Sequence, residues 1–337
     1  MNHQPAKKYV LGTVAALLLA ACSPAEQAAA PAASGTSTAA GNKKIAITAI
    51  VEHPALDAVR KGVIDELKSK GYEEGKNLTV DFQSAQGSTA NAAQIAKKFA
   101  GSNPDVIVAI ATPSAQSVVA ATKTIPVVYA GVTDPVAAKL VPGWEASNTN
   151  VTGVSDELPL EPQIDLMKKL VPAVKNVGYV YSPGEVNSTI VLDQLKAKLS
   201  SQGINVVAAP AQRSSDVLTA ARSLNGKVDL IYTSLDNNVV SSYESMYKAA
   251  VEMKKPLVAS DTDSVKRGAV AALGVNYYDL GKKTGDVVFQ ILNGKKAGEI
   301  PSARMETLDL FLSKKNAAAE GIALPEELLK QAKEVQE

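Results

Sequence analysis

Beyond Asn42 the chain alternates between short β-branched, apolar runs and longer stretches in which apolar residues recur every three or four positions. That alternation predicts strands joined by crossover helices, the pattern of a parallel α/β architecture. Candidate strands span residues 44–51, 78–84, 106–111, 127–131, 177–181, 206–209, 230–233, 257–260 and 269–274. Several are apolar without interruption, Val106-Ile107-Val108-Ala109-Ile110 among them, as expected of strands covered by helices on both faces. Leu56, Val59, Val63 and Leu67 fall at helical spacing, as do Val186, Ile190, Val191, Leu195 and Leu199, and both stripes read as core faces.

The rhythm breaks within 150–159, at Asn150-Val151-Thr152-Gly153-Val154-Ser155-Asp156, which separates two similar strand–helix blocks. The expected fold class is α/β, with two doubly wound parallel-sheet lobes joined by a multi-segment hinge. Residues 43–153 with about 277–300 make the N-terminal lobe and 154–276 the C-terminal lobe. A second crossing is expected within 267–276, after which a helix over 280–292 returns to the first lobe. A strand over 307–312 and a helix over 325–335 fall in the segment 301–337, whose lobe the pattern leaves open.

The first 21 residues read differently. Lys7 and Lys8 precede an apolar run over 10–21 that is too short for the ~20 residues of a spanning helix, so residues 1–21 are expected to be an export signal. Leu19-Ala20-Ala21-Cys22 resembles the bacterial lipoprotein box. The resemblance implies cleavage before Cys22, acylation of its sulfur and new N-terminus, and anchorage to a bacterial membrane, facing the periplasm or the cell surface. An ordinary secretory peptide that happens to carry a cysteine is the alternative. Residues 22–42 hold two prolines and no large apolar side chain, and read as a disordered tether with a reach of roughly 25 Å.

Composition narrows the chemistry. Cys22 is the sole cysteine, so the folded part has no thiol for a disulfide, a metal–sulfur site or nucleophilic catalysis. A net charge of +1 without a basic block gives no electrostatic footprint for nucleic acid. His3 lies in the signal, leaving His53 as the one histidine beyond it, which removes most of the material for a metal centre or a Ser-His-Asp triad. An exported hydrolase built on Glu52, His53 and an aspartate would need an activated nucleophile, and no Gly-x-Ser-x-Gly elbow supplies one. No enzyme, cofactor or metal is expected.

Candidate binding chemistry gathers at the carboxyl ends of the strands, where open α/β sheets bind ligands and helix N-termini favour anions. Thr112-Pro113-Ser114-Ala115-Gln116, Asp134-Pro135 and Ser182-Pro183-Gly184-Glu185 each read as an N-cap with proline at the first helical position, and Ser182 with Glu185 fits a capping box. Any one of these is equally a plain helix start; their convergence points to a site. Two sheets facing across a hinge would bring Glu52, His53, Thr112, Ser114, Gln116, Thr133 and Asp134 to one wall. Ser182, Asn187, Asp236, Asn237 and Asp261 would form the other. A ligand ammonium there needs an anionic partner once water is expelled, with Asp236 the first candidate and Asp261, Asp134 and Glu52 behind it. Ser114 and the amides after Pro113 suit a carboxylate. His53 reads as either a structural histidine or a ligand contact, and Tyr129, Tyr181 and Tyr232 as packing or stacking surfaces.

Glu52-His53-Pro54-Ala55-Leu56-Asp57, Ala111-Thr112-Pro113-Ser114-Ala115-Gln116, Val132-Thr133-Asp134-Pro135-Val136, Asn150-Val151-Thr152-Gly153, Asp236-Asn237-Asn238 and Gly274-Val275-Asn276-Tyr277-Tyr278-Asp279-Leu280-Gly281 follow one another in an informative order. Together they resemble the ABC-transporter substrate-binding family that includes the tryptophan-binding lipoprotein TrpX, from about Lys44 to the end. Lys139-Leu140-Val141-Pro142-Gly143-Trp144-Glu145 departs from the glycine-rich sequence usual there. The resemblance implies a type I periplasmic binding fold, a solute cleft between two lobes and delivery to an ABC permease. An aromatic amino acid is the leading solute. The competing functions are a surface lipoprotein with an adhesive or sensing role on the same fold, or a receptor for a sugar or nucleoside.

Overall fold

The computed structural model describes residues 42–337. The export signal, Cys22 and nearly all of the tether lie outside the described residues.

Strands β1 (Lys43–Ala49), β2 (Leu78–Ser84), β3 (Val106–Ile110) and β4 (Val127–Ala130) alternate with helices α1 (Pro54–Ser69), α2 (Thr89–Ser102) and α3 (Thr112–Ala121). β3 and β4 are buried at every position, which is why their sequence carries no alternation. β5 (Val151–Ser155) then pairs in parallel with β4, so the break in rhythm contains a strand before the chain leaves the lobe. Its glycine is steric in origin: a Cβ on Gly153 would lie 2.2 Å from the Tyr129 carbonyl oxygen on the neighbouring strand.

Residues 156–159 carry the chain to the second lobe. There α4 (Leu160–Leu170), β6 (Asn176–Tyr181), α5 (Val186–Ser200), β7 (Asn205–Pro210), α6 (Val217–Arg222), β8 (Leu230–Thr233), α7 (Asn237–Ser241), α8 (Tyr243–Met253), β9 (Leu257–Ala259) and β10 (Ala271–Gly274) follow. Helix α9 (Tyr277–Leu292), capped by the Asn276 side chain, returns to lie along α1, and β11 (Ala303–Arg304) extends the first sheet beside β5. The chain crosses once more. β12 (Asp309–Ser313) joins the second sheet antiparallel to β10, and α10 (Lys314–Glu320), α11 (Glu326–Gln331) and β13 (Glu334–Gln336) complete it. The helix expected over 325–335 is thus only α11, followed by an edge strand.

The sheet orders are β11-β5-β4-β3-β1-β2 and β13-β12-β10-β9-β8-β6-β7. Two α/β lobes with essentially parallel sheets result, joined by three crossings. In each sheet the order reverses beside the first strand, at β1/β3 and at β6/β8, which opens a crevice at the carboxyl ends of those strands. The first lobe has one continuous core, whereas alternate residues of β6, β8 and β9 feed separate clusters on the two faces of the second sheet, Tyr179 and Tyr232 on one and Val180 and Ile231 on the other.

The α1–α9 contact holds the returning helix to the first lobe and depends on glycine. A Cβ on Gly281 would lie 2.2 Å from the Val59 carbonyl oxygen, and one on Gly62 would lie 2.3 Å from that of Tyr278. Gly281→Ala is therefore expected to cost about 1–3 kcal/mol or more through overpacking. Thermal denaturation reads it against Gly101→Ala, where the new methyl meets nothing within 4 Å; an equal melting temperature for both variants would contradict this packing.

Candidate functional site

The loops after β1, β3, β4, β6, β8 and β9 converge on a cavity of about 340 Å³ between the lobes. His53, Thr112 and Thr133 line it from the first lobe, and Asn187, Asn237 and Asp261 from the second. A neighbouring cavity of about 410 Å³ shares Thr133 and Leu235 with it and has largely apolar walls, Leu158, Leu160, Ile190 and Val191 among them.

The remaining expected site residues lie outside that lining. Asp236 is completely buried, but its carboxylate accepts from the Ser182 N–H (2.6 Å), the Ser182 hydroxyl (2.8 Å) and the Val239 N–H (3.0 Å), so it caps α7 and ties the β6 loop to it. All its partners belong to its own lobe, and it is absent from the cavity lining. With Ser182 engaged on Asp236, the capping box does not form, and α5 begins after Glu185. Asp134 accepts from the Val136 and Ala137 amides, organising a turn instead of a helix, and lines only the second cavity. Gln116 donates to the Ala138 carbonyl, 3.2 Å away. Glu52 is exposed. Ser114 is buried near the start of α3 with its hydroxyl unpartnered. Of the tyrosines, Tyr232 reaches the second cavity and accepts a hydrogen bond from Ser260, while Tyr129 is core.

Two residues that the sequence reading did not select complete the cavity. Asp156, immediately after β5, is buried in the first crossing, and its Oδ2 accepts from the hydroxyl of Tyr277, 2.9 Å away at the start of α9. Its Oδ1 has no partner within the chain. Burial pushes its carboxyl up to about 6, against the pull of the Tyr277 hydrogen bond. Asp261, which accepts from the Ser264 amide and hydroxyl, is likewise raised to about 6 by burial. His53 is pushed down to about 3 by burial and by the positive charge of Arg267, so the ring is neutral, and its Nδ1 is unpartnered. Arg267 itself is engaged by Glu244 and by the Val240 carbonyl.

The opposite polarity comes from α3. Ala111, its N-cap, holds φ 72° and ψ 156°, a region nearly confined to glycine that costs about 1–3 kcal/mol for another residue. This sharp turn brings the first turn of α3 to the cavity, where Ala111 and Thr112 lie in the wall. Ala115 N–H is satisfied by the Ala111 carbonyl, whereas the amides of Thr112 and Ser114 belong to the turn that a helix leaves without internal acceptors. One wall therefore suits a carboxylate, while Asp156 Oδ1, Asn187 Oδ1 and His53 Nδ1 belong to lining residues and are buried without a partner in the chain.

Known proteins with this architecture agree on the class of activity. The model of the family described as ABC transporter substrate binding protein matches residues 44–336. A tyrosine-binding protein of Clostridioides difficile (strain R20291) is 41% identical over 271 residues, covering 80% of this chain and 79% of its own. An ABC domain from Streptococcus pneumonia in complex with L-Trp superposes with a TM-score of 0.84 at 34% identity, covering 88% of this chain and all of that one. A substrate-binding protein with adhesive properties from Clostridium difficile, in its ligand-free, open structure, is more similar in sequence at 40% identity, covering 87% and 99%, but superposes at only 0.66. The lobes here thus lie nearer the arrangement of the L-Trp complex. Two of these relatives are described by the amino acid that they bind, tyrosine in one and L-Trp in the other.

Proposed function

Because this chain belongs to the ABC transporter substrate-binding protein family, we propose that it is the lipid-anchored, extracytoplasmic receptor of an importer and that its solute is an aromatic amino acid. The observation that carries the ligand reading is the pairing, in one interlobe cavity, of unpartnered buried acceptors with the first turn of α3. A zwitterion satisfies both ends. Its carboxylate takes the Thr112 and Ser114 amides, and its ammonium takes Asp156 Oδ1, with Asn187 and Asp261 beside it. Leu56, Leu235, Val240 and the Tyr277 ring, which line the cavity, offer apolar surface to a side chain. The aromatic preference is also supported by the tyrosine- and tryptophan-binding relatives.

Closure follows from the same groups. Bringing the lobes together buries Asp156, Asn187 and His53 with polar atoms unpaired, and each such atom costs about 1–3 kcal/mol. A bound ammonium removes that penalty only when both lobes are in place, so the ligand stabilises the closed form over the open one. The closed shape is then what an ABC permease recognises. Anchorage through Cys22 after export, by way of the 22–42 tether, places the receptor beside that permease.

The test is a thermal-shift screen of the twenty amino acids, common sugars and nucleosides against the purified soluble domain. At least one of tryptophan, tyrosine and phenylalanine is expected to raise the melting temperature, and a screen in which only sugars or nucleosides do so overturns the ligand reading. A surface adhesive role is a second reading, favoured by the adhesive properties of the Clostridium difficile relative. Cell binding by the purified protein that persists at saturating amino acid would support it.

A further inference from the structure

Glu185 is buried, lies outside the cavity lining, and yet holds two residues that line it. Its Oε2 accepts from Asn187 Nδ2 (3.0 Å), Asn237 Nδ2 (2.6 Å) and the Asn237 N–H (3.1 Å). Asn187 spends its amide group completely, since Nδ2 also donates to the Leu235 carbonyl at 2.9 Å. The Leu235 carbonyl can only accept, and Glu185 Oε2 already accepts from three N–H donors, so the amide is held with its nitrogen toward Glu185 and Leu235 and its oxygen away from them. The oxygen left over, Asn187 Oδ1, is buried and has no partner in the chain.

We infer that Glu185 is a positioning residue for ligand selection: by taking the amide nitrogens of Asn187 and Asn237, it makes Asn187 present a hydrogen-bond acceptor to the cavity and commits this wall to a primary ammonium. An asparagine free to rotate would present either end and accept a ligand carboxylate as readily as an amine. The second lobe also contributes Asp261 and no side-chain cation to the lining. Its wall therefore discriminates between an amino acid and the same skeleton without its amino group, while the carboxylate is read by α3 on the first lobe. Glu185 is kept in place by Asn187 and Asn237, which begin two different helices, so the device links the β6 and β8 loops.

The inference rests on the amino-acid reading above, and the experiment separates the two. Calorimetric titration compares L-tyrosine with 3-(4-hydroxyphenyl)propionate and L-tryptophan with indole-3-propionate, for wild type, Glu185→Gln, Asn187→Leu and the double variant. Wild type is expected to prefer the amino acids. Glu185→Gln is expected to reduce that preference by about tenfold, the equivalent of one lost hydrogen bond to a charged group, chiefly by weakening the amino acid. Asn187→Leu should lose the preference by a similar factor, and adding Glu185→Gln to it should change the preference no further. If wild type binds neither amino acid, the amino-acid reading fails and takes this one with it. If wild type discriminates but Glu185→Gln leaves the ratio intact, or still lowers it fully in the Asn187→Leu background, the positioning role alone is overturned. Should Glu185→Gln not fold, Asn187→Leu decides: an unchanged ratio there is contradictory.

Discussion

Replacing Asp156 by asparagine is expected to weaken binding of the aromatic amino acid by about 30-fold to 4,000-fold, the ~2–5 kcal/mol range for removing one partner of a buried, hydrogen-bonded charge pair. Asparagine keeps the shape and can still accept from the Tyr277 hydroxyl, which bonds Oδ2 at 2.9 Å. What disappears is the charge opposite the ammonium. The fold should survive, because an ionised carboxyl at this buried position is a burden on the protein by itself. Asp236→Asn is the informative companion. Its carboxylate serves Ser182 and Val239 inside the second lobe, so that variant should lower the melting temperature, with binding affected only as far as the β6 and β8 loops loosen. Titration calorimetry showing intact affinity for Asp156→Asn, with the loss falling on Asp236→Asn alone, would refute this assignment of the ammonium site.

Acidification is expected to move binding and stability in opposite directions. The carboxyls of Asp156 and Asp261 are both raised to about 6 in the folded protein by burial. An ammonium beside them favours the ionised form, so their pKa falls in the complex and binding releases protons. Affinity is therefore full above about pH 7 and declines as pH drops through 6, by up to tenfold per unit for each carboxyl that must lose its proton. Stability has the other sign. A carboxyl whose folded pKa lies above its unfolded value binds protons preferentially in the native state, so each of these two adds stability as pH falls from 6 toward 4, by about 3 kcal/mol for a shift of some two units. Titrations from pH 7.5 to 4.5, paired with melting curves without ligand, check both. Affinity that is flat across pH 6 would remove Asp156 and Asp261 from contact with the ligand's charge.

Much of the architecture was legible because it depends on apolar periodicity. A run as short and as rich in β-branched residues as 106–110 reads as a doubly covered strand, and the Leu56 stripe reads as a helix face. β5 was hidden because its close approach to Tyr129 demands a glycine, and threonine and serine flank it, so a central strand reads as a loop. β13 follows so closely on α11 that the two merge into a single helical pattern.

The site was legible as a location and less so as chemistry. Strand-end loops do meet across the lobes, and His53, Thr112, Thr133, Asn187, Asn237 and Asp261 are in the wall. Asp236 was chosen in the sequence and Asp156 was not, and the two differ in a definable way. An acid after a strand announces itself, but the sequence does not say whether its own lobe will consume it. Asp236 precedes a helix at cap spacing, so the Val239 amide absorbs it. Asp156 has no such helix: α4 begins only at Leu160, and one of its carboxylate oxygens stays unpaired. A strand-end acid without a cap to fill is the signal that would have found it.

A crystal structure of the protein with L-tryptophan or L-tyrosine bound tests the central claim most directly. The account predicts the amino acid in the cavity between His53, Asp156 and Asn187, with its nitrogen within about 3 Å of Asp156 Oδ1 and its carboxylate on the first-turn amides of α3. A ligand held by one lobe only, or one that turns its carboxylate toward Asp156, would contradict it.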